Sequence, residues 1–242
     1  MGTGGIGYSF IALPALLLLT GCFGIPAATD PPAAAVAPAT VIAAGACSES
    51  GADAKDPKAR EAVCLKELGK QASRKGSVLS LKLDDGTAKT FRTDTAGCDG
   101  DGLKKCEEYR LVGFYPLPGA YLVLSQGFEI GGFMTVNIHT GETKEFSGIP
   151  RLAPDNATSF VRSCNDGCTI SIDSITSAAP PAWQMYSPDT DWAFVRWLDN
   201  DQVALRISGK SNRCPQAGCE AILRRVGSSW KIEELPTKSD AK

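Results

Sequence analysis

The sequence predicts a mainly β domain built from antiparallel strands, with one short helix on its N-terminal side. Three observations predict it. From Tyr109 onward, apolar runs of strand length and clusters of turn residues recur roughly every 8 to 12 residues. Asp85-Gly86 separates two alternating runs, a strong short-range hairpin signal. Asp56-Pro57 places a capping carboxylate directly before a proline whose fixed φ suits the first helical position.

The elements follow in order. The helix is expected from Pro57 to about Gln71, with Val63, Leu65 and Leu68 as its main apolar residues. After Gly76 the period changes to two, and Val78, Leu79, Leu81 and Leu83 lead into Asp85-Gly86 and a partner strand from Thr87 to Phe91. Arg110–Tyr115, Ala120–Ser125, Gly132–Ile138 and Thr143–Phe146 read as one four-stranded meander, with a turn at His139-Thr140-Gly141-Glu142. Strands are expected next at Thr158–Arg162, Thr169–Ile175 and Trp183–Tyr186. The last four are expected at Ala193–Trp197, Val203–Ile207, Ala221–Val226 and Trp230–Glu233.

The N-terminal segment is of another kind. The apolar run Phe10–Leu19 is about ten residues long, whereas a bilayer-spanning helix needs roughly 20. Pro14 interrupts it, and Gly21, Gly24 and Pro26 follow it. That is the size of a signal-peptide apolar region. The first 21 residues contain no Lys or Arg, which ordinary signals carry at their start. Leu19-Thr20-Gly21-Cys22 resembles the lipobox of bacterial lipoproteins. The resemblance implies that residues 1–21 are removed and that the Cys22 thiol receives a diacylglyceryl group. Phe23, where an Asp would signal retention in enterobacterial lipoproteins, implies an outer-membrane destination facing the periplasm.

Residues 23–46 contain ten Ala and four Pro. Such a stretch cannot build a core and reads as a tether. It would span about 75 Å as polyproline and about 27 Å as a flexible coil. A folded domain is then expected over residues 47–236, with a flexible tail at 237–242. The net charge is −2 and no Lys/Arg block occurs, which argues against nucleic acid as a partner.

The chain has nine cysteines. Setting Cys22 aside leaves Cys47, Cys64, Cys98, Cys106, Cys164, Cys168, Cys214 and Cys219, an even set that implies disulfides in an exported protein. Eight cysteines allow about a hundred connectivities. Cys164 and Cys168 flank the turn Asn165-Asp166-Gly167, Cys214 and Cys219 flank Pro215-Gln216-Ala217-Gly218, and Cys98 and Cys106 flank a Gly/Asp-rich loop. Pairing in sequence order closes each locally, with Cys47–Cys64 as the longest loop. The short closures read as clamps on hairpin ends.

Residues 136–163, VNIHTGETKEFSGIPRLAPDNATSFVRS, resemble the WD40-like repeat of TolB-type propellers. In that repeat a strand ends in a TGE turn, and SPDG precedes the next blade. The counterparts are Thr140-Gly141-Glu142 and Ala153-Pro154-Asp155-Asn156, with Ala in place of Ser and with Asn, which also tolerates left-handed backbone, in place of Gly. VRWLDNDQVALRI, residues 195–207, resembles the start of a later unit. The segment Tyr109–Ile207 resembles bacterial lipoproteins of unknown function with such degenerate blades. Propellers have about 4 to 8 blades, and this chain has room for about four. The resemblance therefore implies meander blades in a small, incomplete propeller; a β-sandwich is the structural alternative.

Candidate chemistry is sparse. Ser208-Gly209-Lys210-Ser211 ends like a P-loop, but the required earlier glycine is Ala204 and Pro215 blocks the helix that should follow. Asp99, Asp101, Gly102 and Glu108 fall at EF-hand positions, but Gly97 stands where the first carboxylate belongs. His139 is the only histidine and lies in a tight turn, with no Gly-x-Ser-x-Gly anywhere. The cysteines lack Cys-x-x-Cys spacing for zinc. Trp183, Trp192, Trp197 and Trp230 read as core aromatics, with a carbohydrate or peptide platform as the alternative, and Glu129 reads as a solvated loop acid.

The expectation is an envelope lipoprotein, anchored to the membrane by lipid. Its propeller-like domain would bind an envelope protein or small ligand, without catalysis, metal or cofactor. Two other classes are weighed against it. A periplasmic hydrolase would need two inward-facing carboxylates about 5 to 10 Å apart in one pocket. A small inhibitor or assembly factor would be marked by a large exposed apolar patch.

Overall fold

A computed structural model describes residues 47–48, 51–52, 55–95, 106–127, 131–209 and 219–235. Among them are one α-helix and fifteen strands, in four antiparallel sheets. Each sheet is made from strands consecutive in the chain.

The helix α1 (Pro57–Leu68) starts where expected, with the Asp56 side chain accepting from the Lys58 and Ala59 N–H groups. Its buried face differs from the expected apolar one. Arg60, Glu61, Cys64 and Leu68 point inward, while Val63 is 40% exposed. The helix tolerates buried charges because each has partners. Arg60 Nε donates to the Val112 carbonyl at 2.8 Å. Glu61 accepts from Arg74 at 2.7 and 2.8 Å, from Arg110 at 3.0 Å and from the Leu111 N–H at 3.1 Å. Cys64 is joined to Cys47.

One turn of 3-10 helix (Gly69–Gln71) leads into the first sheet: β1 (Ala72–Lys75), β2 (Val78–Lys82) and β3 (Ala88–Arg92). Strand β1 has a polar sequence with no apolar alternation and was not expected. It forms because Arg74 and Ala72 pair in register with Leu79 and Leu81, whose side chains are fully buried.

The second sheet holds β4 (Glu108–Tyr115), β5 (Ala120–Gln126), β6 (Gly131–Asn137) and β7 (Thr143–Phe146). The third holds β8 (Arg151–Leu152), β9 (Thr158–Asn165), β10 (Gly167–Ser174) and β11 (Trp183–Ser187). The fourth holds β12 (Thr190–Asp199), β13 (Gln202–Gly209), β14 (Cys219–Val226) and β15 (Ser229–Glu234).

The sheets stack face on face, with an apolar core at each of three seams. Leu79 and Leu81 of the first sheet meet Leu111, Phe114, Tyr121 and Val123 of the second. Val112, Tyr115 and Leu122 on the second sheet's other face meet Val161 and Ile175. Phe160, Ile170 and Ile172 meet Val203, Leu205, Ile207 and Trp230 of the fourth. The second sheet is thus covered on both faces, which is why β4 and β5 are nearly continuous apolar runs. Each fully buried side chain of this size contributes about 1.5–3 kcal/mol. The fourth sheet alternates cleanly, with Val203, Leu205 and Ile207 buried and Arg206 exposed between them.

The turns carry the geometry that the sequence implied. Gly141 has φ 70°, and Asn137 Oδ1 accepts from the His139 and Thr140 N–H groups. Asn156, with φ 58°, is the only non-glycine with positive φ among the described residues. Asp155 beside it accepts from the N–H groups of Ala157 and Thr158 and from the Thr158 hydroxyl. The architecture is mainly β, in antiparallel meanders arranged like blades, and no sheet closes into a barrel among the described residues.

Candidate functional site: a polar cleft between the second and third sheets

Strand β10 reads Thr169-Ile170-Ser171-Ile172-Asp173. Successive side chains in a strand point to opposite faces. Ile170 and Ile172 enter the seam with the fourth sheet, so Thr169, Ser171 and Asp173 turn to the second. This leaves a polar cleft of about 420 Å³ where β7 of the second sheet lies against β10 and β11. A second cavity of about 360 Å³ shares Glu145, Phe146 and Ser147 with it and continues toward Phe133 and Asn165.

The centre of the cleft is an ion pair. Lys144 Nζ lies 2.5 Å from Asp173 Oδ1, with side-chain exposures of 9% and 7%. The same ammonium donates to the carbonyls of Ser177 at 2.6 Å and Ala179 at 3.1 Å. An ammonium has three protons to donate, and all three have acceptors. Two hydroxyls reinforce the region: Thr135 donates to the Ile175 carbonyl at 2.9 Å, and Ser159 to the Asp173 carbonyl at 3.1 Å. Lys144 also sits 5.6 Å from the centre of the Phe146 ring. The pair therefore holds the two sheets together. Its lysine is neither a free nucleophile nor an open anion site. Glu145, exposed, is the other carboxylate lining the cleft.

The residues singled out from the sequence lie elsewhere. His139 is exposed, with Nδ1 2.5 Å from Asp84 Oδ2 on the β2–β3 turn. Around it the two turns interlock. The Asp84 N–H donates to the Ile138 carbonyl, and Tyr121 OH donates to the Lys82 carbonyl at 2.7 Å. Burial, assisted by the Asp84 charge, pushes the Tyr121 hydroxyl up to about 12. Trp192 and Trp230 are buried, and Trp183 and Trp197 pack against the same core. Trp197 Nε1 donates to the Arg151 carbonyl at 2.8 Å. These four tryptophans are packing residues, not an exposed platform.

Cys164 and Cys168 face each other across β9 and β10 and are joined. Asp191 Oδ1 lies 3.7 and 3.5 Å from their sulfurs, and Arg162 donates to the same oxygen. These three side chains meet the spacing of a metal site, but joined sulfurs offer no thiolates. Cys106 and Cys219 are also disulfide-bonded. Glu108, the last of the EF-hand positions, pairs with Arg110 in β4. Ser208 and Gly209 end β13. Cys22, Cys98, Asp99, Asp101, Gly102, Glu129, Lys210, Ser211 and Cys214 lie outside the described residues. Among the described residues no helix is long and apolar enough to cross a membrane.

No protein-family model, curated protein or solved structure matches this chain.

Proposed function

We propose that the chain is an exported lipoprotein of the bacterial cell envelope. It is anchored through Cys22, and its stack of blade-like sheets is a non-catalytic module for binding a protein or small ligand. The observation that carries this reading is the state of the cysteines. All six described ones, Cys47, Cys64, Cys106, Cys164, Cys168 and Cys219, are in disulfides. Disulfides persist in oxidising compartments, which the lipobox-like Leu19–Cys22 segment independently suggests. The polar cleft at the second seam is the preferred binding region, because its central ion pair is saturated and its rim keeps hydroxyl and amide groups free of that pair.

The test has two parts. Wild-type protein should be labelled by a radioactive fatty acid and partition into detergent, and Cys22→Ser should do neither. A photo-crosslinker at Gln184, on the cleft's rim, should capture a specific envelope component that a crosslinker on exposed Tyr186 does not.

One observation favours a second reading. Glu145 and Asp173 line the same cleft, as the carboxylates of a glycosidase would. Asp173 is committed to Lys144, which argues for the binding role. Hydrolysis of envelope glycans that disappears in Glu145→Gln would reverse that order.

A further inference from the structure

Among the described residues, the first sheet has one covered face. Its inward row holds Leu79, Leu81 and Phe91, packed on the second sheet. The pairing register fixes what the other face displays. Ser73, Ser80 and Thr90 stand in one row, Lys75, Val78 and Arg92 in the next, and Lys82 and Ala88 in a third. Lys75, Lys82 and Arg92 are exposed. This face therefore presents three cations around a row of three hydroxyls, and none of its outward positions is a carboxylate. Two exposed acids, Asp94 and Glu107, flank the Arg92 end, where their backbones pair in an isolated bridge just beyond β3. The acids at the other end are engaged at the adjoining turn. Asp84 pairs with His139, and Asp85 accepts from the Thr87 N–H and hydroxyl. The chain as a whole carries a net charge of −2, so the basic face is a local segregation of charge.

We propose that this face docks on an anionic membrane surface. The inference rests on the anchored reading for its setting. The tether ends at Cys47, whose disulfide to Cys64 ties it to α1, and α1 packs with the first sheet. A coil of the tether's length spans about 27 Å, which leaves the first sheet within reach of the headgroups. Ammonium and guanidinium groups supply attraction to the phosphates, and the Ser73–Ser80–Thr90 row supplies hydrogen-bond donors between them. The fourth sheet's outer face does not match this pattern, because Glu220 and Glu233 stand opposite Arg206 and Ile222 in the ladder.

The test is co-sedimentation of the full chain carrying Cys22→Ser, so that no acyl chain contributes. Vesicles are either pure phosphatidylcholine or the same lipid with about a third phosphatidylglycerol. The ratio of binding to the two cancels any charge-independent insertion. Each cation near such a surface is worth about a fivefold factor, so the ratio should approach about 100 at low salt and collapse in half-molar NaCl. Lys75→Glu, Lys82→Glu and Arg92→Glu together should abolish it, with the circular dichroism spectrum unchanged. Arg206→Glu, on the fourth sheet, should leave it intact. A ratio near one, a triple variant that still discriminates, or an equal loss in Arg206→Glu would overturn the proposal. The anchor is judged separately. If Cys22 carries no lipid, wild type and Cys22→Ser bind neutral vesicles alike, whatever the ratio shows.

Discussion

Lys144 and Asp173 sit on different sheets, 29 residues apart in the chain, and meet at 2.5 Å with less than a tenth of either side chain exposed. Removing one member of such a pair leaves an uncompensated buried charge, at a cost of about 3–5 kcal/mol. Lys144→Met should lower the urea midpoint by that equivalent. Lys144→Met with Asp173→Leu should recover most of the loss, since apolar replacement of both partners is often neutral. A single variant as stable as wild type would mean that water reaches Asp173 and solvates it.

Asn156 is held at φ 58° in the turn before β9. A β-branched residue there adopts left-handed backbone at a cost of about 1–2 kcal/mol, whereas glycine does so freely. Asn156→Val should lower thermal stability by that amount, and Asn156→Gly should stay within about 0.5 kcal/mol of wild type. Equal effects from both would indicate that the Asn side chain, not its backbone, matters.

Asp155 gives the same turn a pH dependence. Burial works against its charge, but the hydrogen bonds from Thr158 and Ala157 outweigh it and hold the carboxyl below its ordinary 3.8. A depressed folded-state value means that the stabilisation is present above pH 3.8 and is lost as pH falls through the folded value. Stability measured from pH 6 down to about pH 2 should therefore fall less steeply in Asp155→Asn than in wild type.

Disulfide mapping under non-reducing conditions should recover Cys47 with Cys64 and Cys164 with Cys168. Pairing in sequence order further expects Cys98 with Cys106 and Cys214 with Cys219. Recovery of mostly free thiols from the envelope fraction would contradict the export reading.

His139 should be dispensable. Its contact with Asp84 is half exposed on both sides, and such pairs contribute little. His139→Gln should fold within about 0.5 kcal/mol of wild type and complement a deletion strain normally. Loss of function at unchanged stability would point to histidine chemistry.

Strand identity was legible because it is written in local pattern. The strand Thr143–Phe146 has the bounds its sequence pattern implies, and the remaining expected strands differ only at their ends. Burial was less legible. Arg60 and Glu61 look like solvent-facing helix residues, and partners distant in the chain stabilise their inward orientation: the Val112 carbonyl for Arg60, and Arg74, Arg110 and the Leu111 N–H for Glu61. Strand β1, Ala72–Lys75, carries no strand signal of its own and borrows its structure from Leu79 and Leu81. The cleft was not legible: Thr169–Ile175 was expected as a strand only, and nothing local tells that Lys144 will meet Asp173.

The four sheets follow one another in space in the same order as in the chain. Every hydrogen-bonded partner strand is therefore supplied by a near neighbour, so the loop-closure entropy opposing each sheet is small. A polypeptide delivered N-terminus first can finish one sheet before the residues of the next exist outside the ribosome. Each finished sheet then offers a ready apolar wall to its successor. A nascent chain of this kind never has to hold a half-paired strand while waiting for a distant one, and so keeps little sticky edge exposed on its way to maturity.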